Sequence, residues 1–183
     1  FTGCSAAGMR VLNADGSIPY AASRGFSEEF LAQENHLSVY KDKCLCVDVI
    51  NGNVESKTPN LTDSGCVYSN GTSRFFDQMP EKYRGLFKKI CKRFGYRSIA
   101  LIPICSQGAI LGLVHLADER PDQVSMDVIE AMQQASMLLG ETVDRIMAKE
   151  AQDRAERQLE EQRALSIASD RVRSLGEMAA GIA

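Results

Sequence analysis

The residues able to do chemistry in this chain are six cysteines, two histidines and an arginine set in an apolar run. Cys44-Leu45-Cys46 is the tightest spacing. Two thiolates one residue apart in a turn can share a metal, and four sulfurs suit zinc or an iron–sulfur cluster. The same thiols can instead cycle through a reversible disulfide. The pattern is not that of a zinc ribbon, which shows two Cys-x-x-Cys pairs. Free cysteine is also a common buried residue that merely packs. Packing is the first reading for Cys105, while for Cys44 and Cys46 both readings stay open. His115 lies inside an apolar stretch and His36 precedes a polar segment. Imidazole can ligate haem iron or another metal. A lone strand histidine more often packs in the core or lines a polar pocket, which is the reading for His115; His36 reads as surface. Arg10 could neutralise an anionic ligand's carboxylate, and a structural salt bridge is the plainer role.

These residues must be positioned by elements legible in the pattern. Gly8 to Leu12 reads as a strand, Asn13-Ala14-Asp15-Gly16-Ser17 as a turn, and Ile18 to Ala22 as the return strand, with Pro19 marking an edge. Ser27 caps a helix running to about Glu34, with Phe26 and Leu31 as a hydrophobic staple. Cys44 to Ile50 fits either a short helix or a strand. Residues 58 to 74, rich in Ser, Thr, Asn and Gly, read as a loop suited to covering a ligand. Pro80 opens a helix over about 81–94 that Gly95 stops. Ser98 to Cys105 and Ala109 to Ala117 form the strongest strand pair, joined by Ser106-Gln107-Gly108. Ser125 caps a helix with no visible break to the end of the sequence; at 1.5 Å per residue it would be about 90 Å long. Its methionines, Met126, Met132, Met137 and Met147, fall at helical spacings and read as core or seam. Leu165, Ala168, Val172, Leu175, Ala179 and Ile182 recur at three and four residues, a heptad seam. Between Ile146 and Leu165 the rhythm slips like a stutter, and Glu150–Arg154 and Asp153–Arg157 are spaced as ion pairs.

Composition bounds the function classes. The chain has 183 residues, 44% hydrophobic and 25% charged, with a net charge of −3. That fits one ordinary domain plus an extension. Interspersed charge of this sign argues against a nucleic-acid surface. No apolar run is long enough to span a bilayer and no signal peptide is present, so a cytoplasmic location without membrane contact is expected. The cysteines lack a disulfide framework, which suits a reducing compartment.

The order strand, strand, helix, irregular cover, helix, strand, strand, exit helix resembles a GAF domain. The residues that carry the likeness are Gly3-Cys4-Ser5-Ala6-Ala7-Gly8-Met9-Arg10-Val11-Leu12, and Ile99-Ala100-Leu101-Ile102-Pro103-Ile104 feeding Gly112-Leu113-Val114-His115-Leu116-Ala117-Asp118. It covers roughly residues 1–145. Gly25-Phe26-Ser27-Glu28-Glu29-Phe30, Ala32-Gln33-Glu34-Asn35, Cys44-Leu45-Cys46 and Gly95-Tyr96-Arg97-Ser98 are similar to a kinase-linked subgroup. The resemblance implies an α+β fold: a GAF/PAS-like antiparallel sheet of six or so strands, with flanking helices, a ligand pocket under the cover and a long C-terminal coiled-coil helix. The family's first helix would precede Phe1. The cyclic-nucleotide pattern of the family is absent, Val124 standing where its Phe would be, and so is the Asp-Ile-Pro segment of the bilin-binding members.

Cys4, Cys44, Cys46 and Cys91 fall in the matching segments, whereas Cys66 and Cys105 are particular to this chain. The implied ligand or redox candidates are Cys4, Cys44, Cys46, Cys66, Cys91, His115 and Arg10, with Cys44, Cys46 and Cys91 as candidate metal ligands. Cys44 or Cys46 is expected near Cys4 or Cys91, on the covered side of the sheet. A metal, an iron–sulfur cluster and haem are the candidate cofactors.

Ser174-Leu175-Gly176-Glu177-Met178-Ala179-Ala180-Gly181-Ile182-Ala183 resembles the end of the first dimerisation helix of sensor histidine kinases, one residue before the phosphoacceptor histidine. The expected organisation is a GAF core over 1–124, an exit helix and coiled-coil linker over 125–164, and the start of the dimerisation helix over 165–183. The resemblance implies the signal-input domain of a two-component sensor histidine kinase, a parallel homodimer through its C-terminal helix, with a response regulator as partner of the parent kinase. No ATP-binding motif is present, so no catalytic residue is assigned. One alternative is a GAF-fold free methionine sulfoxide reductase using Cys46, Cys66 and Cys91 as nucleophile and resolving partners. Another is a purely structural dimerisation module.

Overall fold

The structure, a computed structural model, describes residues 2–79 and 90–180; for residues 166 and 168–180 only the backbone is described. Five strands form one antiparallel sheet: β1 (Ala6–Val11), β2 (Tyr20–Arg24), β3 (Val67–Ser69), β4 (Ser98–Ser106) and β5 (Ala109–Asp118), in the order β2-β1-β5-β4-β3. The helices are α1 (Glu28–Glu34), α2 (Leu45–Ile50), α3 (Thr72–Gln78), α4 (Ile90–Arg93) and α5 (Met126–Ala180). Two compact units result, Phe1–Thr142 and Val143–Ala183.

The sheet grows from the β4–β5 hairpin, whose residues are buried on both faces over most of their length. Side chains alternate across a strand, so each strand feeds two cores. On one face Leu101 and Leu113 pack with Leu45, Val47, Val49 and Ile50 of α2 and with Phe75 and Phe76 of α3. Ala6, Ile99 and Ala117 extend that face beneath Phe26, Phe30 and Tyr96. On the other face Ala100, Ile102, Ile104, Val114 and Leu116 meet Val124 and the first turns of α5, including Ile129, Met132 and Leu139. Gly140 lets the helix come close: a Cβ there would stand 2.0 Å from the Cys105 carbonyl oxygen.

Local signals act as expected at several termini. The Ser27 hydroxyl accepts from the Phe30 N–H at 3.1 Å, and that of Ser125 accepts from the Val128 N–H at 3.3 Å. Gly95 ends α4 with φ +81°. Of the helix expected over 81–94, residues 81–89 lie outside the described residues, as do 181–183 at the end of α5.

Three expectations need correction. The sheet has five strands among the described residues. The return strand is Tyr20–Arg24 and not Ile18–Ala22, because Pro19 has no N–H to give and the β1–β2 register shifts at Met9/Arg10. The stretch 58–74 is not all loop: β3 pairs with β4 through Val67, Tyr68 and Ser69, and α3 begins at Thr72. A three-residue edge strand has too short a pattern to show itself; its partner makes it. In the second unit Glu150 pairs with Arg154 at 3.9 Å, while Asp153 pairs with Lys149 at 3.0 Å. No helix among the described residues is long and apolar enough to cross a membrane.

Candidate functional site

The register of the central strands decides which polar residues meet. Gly8 of β1 and Leu101 of β4 flank His115 of β5, and Arg10 follows two residues after Gly8 on the same face. Arg10 and His115 are fully buried there. Gly8 makes the room: a Cβ at this position would lie 2.7 Å from the Tyr20 ring. That ring therefore reaches over β1, where its hydroxyl lies 2.7 Å from His115 Nδ1. His115 Nε2 is 3.8 Å from Cys91 Sγ of α4. If Tyr20 donates to Nδ1, Nε2–H points at the sulfur and only a weak S–H remains unused. The opposite tautomer would leave a buried O–H unused, which costs more, so the first is favoured.

Both terminal nitrogens of Arg10 are held, while its Nε is buried with no hydrogen-bond partner among the described residues. One terminal nitrogen donates to the Ile18 carbonyl at 2.7 Å and the Glu34 carbonyl at 2.9 Å; the other reaches Glu34 Oε2 at 3.2 Å. Its guanidinium stacks 3.8 Å from the centre of the Tyr20 ring. Burial opposes the charge, but Cys46, Tyr20, Glu34 and Cys44 together hold Arg10 above its ordinary range. Glu34 is presented by α1, whose Phe30 lies one turn earlier on the same buried face.

Beside this network α2 and α4 close a cavity of about 20 Å3 lined by Cys44, Leu45, Cys46, Phe76, Ile90, Cys91, Ile99 and Leu101. Such a volume holds one or two water-sized atoms. Bulky cofactor pockets run to several hundred Å3, so this cavity does not hold haem as its lining side chains stand. Among the described residues no three His, Cys, Asp or Glu side chains gather as a metal-ligand set.

The three cavity cysteines differ electrostatically. The Cys46 thiol stabilises the Cys44 thiolate and holds Cys44 below the usual cysteine range; the same interaction, with burial, pushes Cys46 well up. Burial keeps Cys91 a thiol. Burial and the nearby Arg10 charge push His115 down to about 3, so it is neutral at physiological pH.

The remaining candidates lie elsewhere. Cys66 is buried in the opposite core, and burial pushes its thiol up to about 12. Cys4 packs against that same core, its thiol raised first by burial and then by Asp118. Cys105 is half-buried on β4. The structure thus brings Cys44, Cys46 and Cys91 together with His115 and Arg10 close by, and leaves Cys4 and Cys66 apart. Sequence reasoning missed Glu34, Tyr20 and Asn70. The i,i+4 spacing of Phe30 and Glu34 was a usable signal for the first. The Asn70 side chain donates to the Val124 carbonyl at 2.8 Å and accepts from the Val124 N–H at 3.0 Å, clamping the approach to α5 just ahead of α3.

Comparison with known proteins places this architecture. No family model matches the sequence, and no curated protein matches it. Solved structures do. A domain of a two-component sensor histidine kinase protein from Sinorhizobium meliloti 1021 aligns with TM-score 0.55 and 15% identity, over 82% of this chain and 85% of that one. The GAF domain from an Acinetobacter phosphoenolpyruvate-protein phosphotransferase aligns at 0.56 and 13%, over 81% and 75%. A type II free methionine-R-sulfoxide reductase from Thermoplasma acidophilum aligns at 0.52 and 17%, over 78% and 81%. The chain has the GAF fold, an α+β architecture, followed by a long helix.

Proposed function

We propose that this chain is the signal-input domain of a two-component sensor histidine kinase, responding to a small ligand or to redox state at the cavity beneath α2. The observation that carries the reading is the small cysteine-lined cavity beside a buried Tyr20–His115–Cys91 chain, in a GAF fold that a 55-residue helix follows. Burying so many polar groups costs stability, which favours a functional reason for them. Phe76 of α3 lines the cavity, and Asn70 ahead of α3 grips Val124 ahead of α5. A change in the cavity therefore has a packed route to the helix base.

The output in this reading is a parallel homodimer through α5. Leu165, the seam position whose side chain is among the described residues, is 72% exposed in the single chain, and it begins the row of apolar residues spaced three and four apart. Pairing would bury such a stripe at roughly 25 cal/mol per Å2 of apolar area. Of the other seam positions, the side chains of Ala168, Val172, Leu175 and Ala179, and all of Ile182, lie outside the described residues. Leu175→Asp is expected to turn dimer into monomer in sedimentation while the GAF unit stays folded. A mutant that remains dimeric would move the assembly to another surface. The response regulator would be the partner of the parent kinase.

The decisive experiment fuses residues 1–183 to a histidine kinase core and follows autophosphorylation. Tyr20→Phe and His115→Ala should change the rate while the fusion remains folded and dimeric. Equal rates across both variants and the parent would end the signal-input reading. A reductase using Cys46, Cys66 and Cys91 is disfavoured, since Cys66 lies in the core of the opposite sheet face.

A further inference from the structure

Three sulfurs reach one cavity, yet they are not equivalent in access or in partners. Cys46 is almost fully buried, Cys44 and Cys91 are half-buried, and Cys91 is engaged by His115. Within a regular helix, residues two apart point away from each other. Cys44 escapes this rule because it precedes α2 with extended backbone, φ −149° and ψ 152°, so both its side chain and that of Cys46 line the cavity. The cavity's 20 Å3 admits a molecule with about two heavy atoms and little more.

Building on the reading of this cavity as a sensing site, we propose that Cys44 and Cys46 form a peroxide-reactive dithiol, Cys44 attacking and Cys46 resolving. The Cys44 thiolate attacks one oxygen of hydrogen peroxide and the O–O bond breaks. Cys44 becomes a sulfenic acid, and the departing hydroxide takes the Cys46 thiol proton to leave as water. The Cys46 thiolate then attacks the Cys44 sulfur, forming the S–S bond and expelling hydroxide, which solvent protonates. The two cysteines lose two electrons and the peroxide is reduced to water. The field of Arg10 favours the thiolate at both positions, and the depressed Cys44 is the one suited to begin. Cys91, hydrogen-bonded and held as a thiol by burial, stays out of the reaction.

The test treats the reduced full chain with hydrogen peroxide, alkylates remaining thiols and maps tryptic peptides. Residues 44–57 follow Lys43 and end at Lys57, so one peptide carries both cysteines and no other. The expected product is an internal disulfide in that peptide, with Cys66 and Cys91 still alkylated. Cys44→Ser should slow oxidation of the peptide by about tenfold or more, the loss of the reactive thiolate. Cys46→Ser should stop at a sulfenic acid on Cys44 that dimedone traps. A bulky organic hydroperoxide should react more slowly than hydrogen peroxide. Oxidation beginning at Cys91 or Cys66, or a Cys44→Ser chain oxidised as fast as the parent, overturns the proposal. A disulfide that forms in a fusion whose kinase activity ignores it upholds the dithiol and removes the signal-input reading instead. A chain inert to peroxide whose kinase fusion answers to Tyr20→Phe does the reverse.

Discussion

The two faces of the central sheet use the same strands for opposite ends. Toward α5 the strands present Ala100, Ile102, Ile104, Val114 and Leu116, and the buried Cys66 beside them has only apolar company in its cluster. Toward α1 and α2 the same strands present Arg10 and His115, tied to Glu34, Tyr20 and Cys91. The apolar side chains of the α5 face are stabilised by burial and tolerate small changes of content. A polar face depends on the hydrogen bonds and charge partners its members keep. The difference separates a face that docks a helix from one that holds a site.

The comparison breaks most readily at Arg10. Arg10→Met takes the positive charge away from the buried Glu34 carboxylate and should lower unfolding free energy by about 3–5 kcal/mol in urea titrations. Arg10→Met combined with Glu34→Leu should recover much of that loss, since the buried carboxylate is gone. No recovery would mean that the Arg10 bonds to the Ile18 and Glu34 carbonyls dominate. On the helix face the sensitive point is steric. Gly140→Ala forces a Cβ onto the Cys105 carbonyl, and the resulting shift of α5 should cost about 1–3 kcal/mol, read from the same titration.

A pH profile sharpens the contrast further. His115 binds its proton only near pH 3 when folded, but at about 6.5 when unfolded. Its contribution is therefore present above pH 6.5 and is lost as pH falls toward 3, at up to about 1.4 kcal/mol per pH unit. Asp118, held low first by its hydrogen bond with Arg120, adds its own loss only below the ordinary carboxylate range. His115→Gln should flatten the stability profile between pH 6 and 4 and leave the Asp118 limb in place. The smallest effect belongs to Cys66→Ala, about 1 kcal/mol of lost packing on the apolar face. It should leave the peroxide reaction unchanged; an altered oxidation rate would join two faces that the structure keeps apart.

Much of this architecture follows from short-range pattern. The β4–β5 hairpin announces itself by an unbroken apolar run around Ser106-Gln107-Gly108, the start of α1 by Ser27, the stop of α4 by Gly95, and the continuity of α5 by the absence of any breaker. These depend on residues a few positions apart, and local chemistry suffices for them. Which cysteines share a cavity was beyond that range. Cys66 and Cys91 both stand among the ligand or redox candidates in sequence, only Cys91 by resemblance, and in the fold Cys66 lies on the α5 face while α4 brings Cys91 to His115. Side chains alternate along a strand with period two, so a single step of register reverses a residue's face, and that register comes from partners far away in the chain. The Arg10–Glu34 pair, 24 residues apart, exists because α1 crosses β1 at the right height. The helical choice for Cys44–Ile50 was settled the same way: its apolar residues found Leu101 and Leu113 beneath them, and burial decided what periodicity had left even.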